Sequence, residues 1–105
     1  MTEIKIFCVT TDIKHDYQRD CVKQLKTQLI KEFGGLTVIK DTEGLWLDEK
    51  NEIVTDSTDI WLIITNKEFL LNGLWELSEK LRKVTNQSVQ FFSVDGLPFY
   101  VDKPL

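Results

Sequence analysis

His15 is the sole histidine, set where an apolar run ending at Val9 gives way to a helical pattern. The seam between a strand and the helix after it often carries functional groups, and a neutral imidazole there can take a proton from a bound substrate. Asp16 follows directly, but adjacent helical residues point in different directions, so adjacency makes no dyad. An exposed histidine at a helix start explains the same residue without chemistry. Cys8 and Cys21 have neither the Cys-x-x-Cys spacing nor the Cys/His pairs of a zinc site, so two free thiols are expected. The sequence holds no G-x-S-x-G, phosphate-binding loop, H-E-x-x-H or dinucleotide glycine fingerprint, and with them go the usual hydrolase, nucleotide and zinc-protease signatures.

Carboxylates are the most concentrated reactive type. Between Asp41 and Asp59 there are seven acids against the single base Lys50, in a chain whose overall formal charge is −4. Such a segment repels a phosphate backbone, so direct nucleic-acid binding is not expected. Asp48, Glu49 and Glu52, with Asp56 and Asp59, do not follow the spacing of a calcium loop and have no glycine at the turn. No metal and no cofactor are therefore expected. Two readings of the acids stay open: a solvated turn, or an acidic projection that docks on a basic protein partner, such as one that handles nucleic acid, and competes with its polyanion.

The elements that position these residues follow from apolar spacing. Ile4 to Val9 reads as a buried strand closed by Thr10-Thr11-Asp12. Val22, Leu25, Leu29 and Phe33 recur at helical spacing before Gly34-Gly35, which predicts a helix from about His15 to Phe33. Leu36 to Ile39 is strand-like; after a break at Asp41–Gly44, Leu45-Trp46-Leu47 and then Ile53-Val54 and Ile60 to Ile64 form the pattern of a long hairpin with an acidic tip. Thr65 and Glu68 stand at capping-box spacing ahead of Leu70, Leu74, Leu77, Leu81 and Val84, predicting a second helix from about Lys67. Val89 to Val94, the turn Asp95-Gly96 and Phe99-Tyr100-Val101 predict a last hairpin, and Pro98 confines its final strand to an edge.

At 105 residues, with 42% hydrophobic and 29% charged side chains, the chain suits one α+β domain over residues 1–105. No apolar run reaches the roughly 20 residues that span a bilayer, and the start Met1-Thr2-Glu3-Ile4-Lys5 lacks a secretory layout, so a cytoplasmic protein with no membrane contact is expected. The order strand, helix, strand, strand, helix, strand resembles the ferredoxin-like βαββαβ sandwich, an antiparallel sheet with two helices on one face, here with a short extra C-terminal strand. Gly35-Leu36-Thr37-Val38, Gly44-Leu45-Trp46 and the polar turn before Ile53-Val54 are similar to an uncharacterised group of small ferredoxin-like proteins of bacteria or phages. Acylphosphatase shares the fold class, but its phosphate cradle needs arginine, and Thr10 to Lys14 supplies none.

Strand alternation then raises a difficulty. The first strand is apolar on both faces, Ile4, Ile6 and Cys8 against Phe7 and Val9, and so are the later ones. Two helices cover one face only. Phe7, Trp61, Ile63 and Phe92 are the candidates for a second apolar face that a second copy, a ligand or the chain's own long hairpin and tail must cover, with a second copy favoured, since monomers rarely expose apolar patches beyond a few hundred Å². A homodimer joined through its sheets resembles the dimeric α+β barrels, which implies an alternative: an enzyme with a metal-free pocket near His15, Trp61 and Phe92 for an apolar small molecule. Trp75 falls off the leucine stripe of its helix and is expected to face outward, either as a partner-binding anchor or beneath the segment after Pro98. The first functional expectation is a binding or accessory protein that acts through protein–protein contact.

Overall fold

A computed structural model describes all residues from Met1 to Leu105. The elements run β1 (Thr2–Val9), α1 (Asp16–Phe33), β2 (Thr37–Leu47), β3 (Ile53–Thr65), α2 (Leu71–Val84), β4 (Gln90–Val94) and β5 (Leu97–Val101). The strands form one antiparallel sheet in the order β2-β3-β1-β4-β5, with β1 at the centre and β5, which carries Pro98, at an edge. This is the ferredoxin-like arrangement with an added C-terminal strand. No helix is long and apolar enough to cross a membrane.

The core lies between the helices and one sheet face. Ile4, Ile6 and Cys8 of β1 sit opposite Ile63, Trp61 and Asp59 of β3, and Phe92 lies opposite Ile6 on the other side. Val22, Leu25 and Leu29 of α1 and Leu74, Leu77 and Leu81 of α2 close over them. Trp61 and Phe92 are wholly buried. The expectation that Trp61, Ile63 and Phe92 share an uncovered face with Phe7 is therefore corrected: the register places these three beneath the helices and Phe7 on the other side. A strand apolar on both faces gives its sequence no phase, so only pairing decides which residues turn inward.

The helix ends are built differently from one another. At the start of α1, the buried Gln18 accepts hydrogen bonds from the backbone N–H groups of Lys14 and His15 at 2.9 and 3.0 Å. Its amide nitrogen donates to the carbonyls of Asp12 and Val84, so one side chain ties the β1–α1 loop to the end of α2. Gly34 ends α1 in the left-handed region at φ 85°, with its N–H on the Ile30 carbonyl. The second helix begins at Leu71, four residues later than the Thr65/Glu68 spacing predicts. Thr65 instead ends β3, accepting a bond from the N–H of Lys67. On α2, Arg82 makes paired bonds of 2.6 and 2.7 Å to Glu79, and these hold the Glu79 carboxyl below its usual range.

β2 runs unbroken through the expected interruption at Asp41–Gly44. A bulge between Ile39 and Thr42 absorbs it: Asp41 takes φ 57° and its N–H donates to Asp59 Oδ1 at 3.0 Å. β1 ends opposite Thr58, and the Thr10 N–H and the Thr11 hydroxyl still bond Ser57; beyond Ser57, β2 and β3 pair only with each other and project as a two-stranded arm.

Replacing Trp61 or Phe92 with alanine is expected to cost about 3–5 kcal/mol in urea unfolding, while Tyr100→Ala at the open edge costs about 1 kcal/mol or less. Glu79→Gln is expected to destabilise at pH 7 by about 1 kcal/mol. That difference shrinks as acid protonates the wild-type carboxylate below its depressed range, so the two unfolding curves converge at low pH.

Candidate functional site

The sheet face opposite the helices carries an apolar surface built from alternate residues. Phe7 and Val9 of β1, Ile60, Leu62 and Ile64 of β3, Ile39 of β2, Phe91 of β4 and Tyr100 of β5 share it by register. The rings of Phe7 and Phe91 lie 4.6 Å apart, and those of Phe91 and Tyr100 5.2 Å apart, forming an aromatic row across three strands. Tyr100 remains 63% exposed and Ile64 50% exposed, so no part of the chain covers this face.

Where this face meets the base of the arm there is a cavity of about 680 Å³. One wall is the aromatic row with Val9, Ile60 and Val89; the other is the stretch of β2 from Thr42 to Trp46 with Asp56 and Thr58 of β3. Two bonds fix the second wall. Thr42 Oγ1 donates to the Thr58 carbonyl at 2.6 Å, and the indole N–H of Trp46 donates to Asp56 Oδ2 at 2.6 Å. Gly44 lies opposite Asp56, and a Cβ there would stand 3.2 Å from Thr58 Oγ1, so its missing side chain leaves the wall its shape. The lining thus combines aromatic rings, hydroxyls and the carboxylate of Asp56. It suits a flat ligand with neutral or positive polar groups better than an anion.

The other predicted residues lie elsewhere. His15 is exposed at the start of α1, its ring stacked on Tyr17 at 5.6 Å, and lines a separate polar cleft with Asp12, Lys14 and Lys83. It does not meet Trp61 or Phe92, which are sealed in the core, so the pocket expected among these three is not formed. Asp48 serves its own turn: Oδ1 accepts the N–H groups of Lys50 and Glu52 at 2.8 and 3.0 Å, leaving Glu49 and Glu52 exposed beside it. Trp75 is half-buried, its indole N–H donating to the Lys103 carbonyl at 3.0 Å, so the C-terminal segment lies against it. No group of three or more His, Cys, Asp or Glu side chains is arranged to hold a metal ion. Trp46 and Tyr100 were not singled out by sequence reasoning, and Asp56 only as one of the acids near the turn; the pairing of β2 with β3 and of β4 with β5, which no local pattern reports, brings them to one face.

Of the two free thiols, Cys8 is buried beside Asp59 and Cys21 is exposed. Burial, helped by the Asp59 charge and opposed by Lys26, pushes the Cys8 thiol up to about 12.

Neither a known protein family nor a characterised protein matches this sequence. Solved structures do match its shape, and they define a class of small α+β proteins. A phage SAM lyase in complex with S-methyl-5'-thioadenosine superposes with a TM-score of 0.68 at 14% identity, covering 97% of this chain and 89% of that one. The divalent cation tolerance protein CutA1 from Thermus thermophilus superposes with a TM-score of 0.56 at 13% identity, over 90% of this chain and 82% of that one. CutA1 from Oryza sativa gives 0.56 at 18% identity, over 94% and 81%. At these identities the likeness establishes the fold alone.

Thiol labelling of the native protein at pH 8 is expected to modify one cysteine, Cys21, and both after unfolding. His15→Ala is expected to shift the unfolding free energy by no more than about 0.5 kcal/mol.

Proposed function

We propose that this chain self-associates through its open sheet face, and that the cavity at the base of the arm binds an adenine-bearing thioether or sulfonium. The observation that carries the reading is the lining of that cavity: a row of aromatic rings faced by the Asp56 carboxylate and the Trp46 indole, on a sheet face that nothing in the chain covers. An adenine ring is flat and suits aromatic walls. A sulfonium centre is a cation that carboxylates and ring faces attract, whereas a phosphorylated nucleotide meets the negative field of the acidic arm. The phage SAM lyase, solved with S-methyl-5'-thioadenosine, offers the ligand to try first.

Self-association rests on area. Ile39, Ile64 and Tyr100 are each more than two-fifths exposed on the open face, and on the arm Leu45, Leu47 and Ile53 are exposed on one side while Trp46 is exposed on the other. A second copy supplies matching apolar surface, since one patch can serve both partners across a two-fold axis. The same face then forms the interface and one wall of the site, which makes the protein a small binding or accessory molecule first. The lyase reading is a second one, favoured by the Asp56 carboxylate, which attracts a sulfonium cation: the thioether leaves as a neutral molecule with the electron pair of the broken C–S bond, and the substrate's own carboxylate closes on the released carbon to form a lactone, so no proton is needed at sulfur.

Light scattering is expected to give a mass that is a multiple of 12.3 kDa at 100 µM, and the double variant Ile39→Lys/Ile64→Lys to run as a folded monomer. Calorimetry is expected to detect S-methyl-5'-thioadenosine and S-adenosylmethionine, with adenosine monophosphate weaker than either. A monomeric wild type that binds none of them overturns the proposal. Release of S-methyl-5'-thioadenosine from S-adenosylmethionine would move the protein from binding to lysis.

A further inference from the structure

We infer that Trp46 is the stacking surface for the ligand's ring and that Asp56 is the positioning residue that holds it there. The inference deepens the cavity reading above and rests on it. Trp46 is half exposed, 51%, one pair from the tip of an arm that has no third strand beside it there, where a tryptophan without support would sample several rotamers. Its indole N–H instead meets Asp56 Oδ2 at 2.6 Å, a short charge-assisted bond.

The bond is diagonal across the hairpin. Trp46 is paired with Val54, and Asp56 with Gly44, so the indole reaches back along the arm toward the body of the sheet. Gly44 makes that path free: any larger residue would put a side chain on the same face between Trp46 and Thr42, already within 3.2 Å of Thr58 Oγ1 at its first carbon. Three residues of the arm therefore converge on one arrangement, an indole pinned by its edge at the cavity wall across from the Phe91 and Tyr100 rings. Pinning the edge leaves the π-surface for a planar partner and reduces the ordering that binding must otherwise impose. A structural account alone gives the bond no need to point at a cavity: the arm's ladder already fixes its register from Thr42–Thr58 to Leu47–Ile53.

The test titrates S-methyl-5'-thioadenosine into the full chain and four variants. Stacking of one base on an aromatic side chain supports an expected loss of about tenfold or more in affinity for Trp46→Ala, with Trp46→Phe, which keeps a ring and loses the N–H, falling between. Asp56→Ala is expected to weaken binding several-fold. Asp56→Asn keeps an acceptor oxygen and is expected to restore affinity to within about twofold of the wild type. In the unliganded protein, the Trp46 indole ¹H–¹⁵N resonance should move on Asp56→Ala and stay near its place on Asp56→Asn. Wild-type binding with Trp46→Ala unchanged overturns this inference and leaves the cavity reading standing. Asp56→Asn as weak as Asp56→Ala overturns the positioning role, because charge and not orientation then matters. A wild type that does not bind overturns both readings.

Discussion

The placement of β1 constrains everything else. As the central strand it carries Ile4, Ile6 and Cys8 on one face and Phe7 and Val9 on the other, so both faces of the sheet are apolar at its middle. Two helices can reach only one of these. α1 and α2 cover the side where Trp61 and Phe92 bring the largest side chains, which gives a dense core. The opposite face is left with a row of rings and no helix, and the candidate site is a consequence of that remainder. Core and site are thus two sides of one strand's composition.

The arm adds what the sheet alone lacks. A flat apolar face has no depth, and a ligand needs enclosure. By running past the end of β1, β2 and β3 raise a second wall at the margin of the face, and the bulge at Asp41 with its bond to Asp59 adjusts the register at the point of departure. Of the seven acids that the sequence concentrates between Asp41 and Asp59, three prove to have separate local duties. Asp48 closes the turn, Asp59 holds the bulge and Asp56 takes the Trp46 indole.

Much of the fold was legible from spacing alone. Val22, Leu25 and Leu29 marked the buried stripe of α1, Gly34 its end, and Asp95-Gly96 the final turn, because each reports a local backbone preference. The faces of the strands were not legible. Trp61 and Phe7 are equally apolar, and only the pairing of Ile6 with Trp61 shows which one turns inward. Thr65 and Glu68 had the spacing of a cap, yet capping competes with ending a strand, and Thr65 does the latter. Gln18 gave no signal at all, since its four bonds reach backbone as distant in sequence as Val84. The site was half legible: an uncovered apolar face followed from alternation, while its true members needed the phase of β2 through the bulge.

The position of β1 also governs how the chain can be made. It is synthesised before either strand it pairs with: β3, with Thr2 opposite Thr65, and β4, with Ile4 opposite Val94. Until β4 has followed, the middle strand has at least one free edge and two greasy faces. Folding of the middle of the sheet therefore depends on contacts distant in sequence, and until they form the nascent chain carries an apolar segment without its partners. Lys5 and Glu3, alternating with Ile4 and Ile6 and bridged at 3.3 Å in the finished sheet, are the only charges that interrupt that segment during the wait.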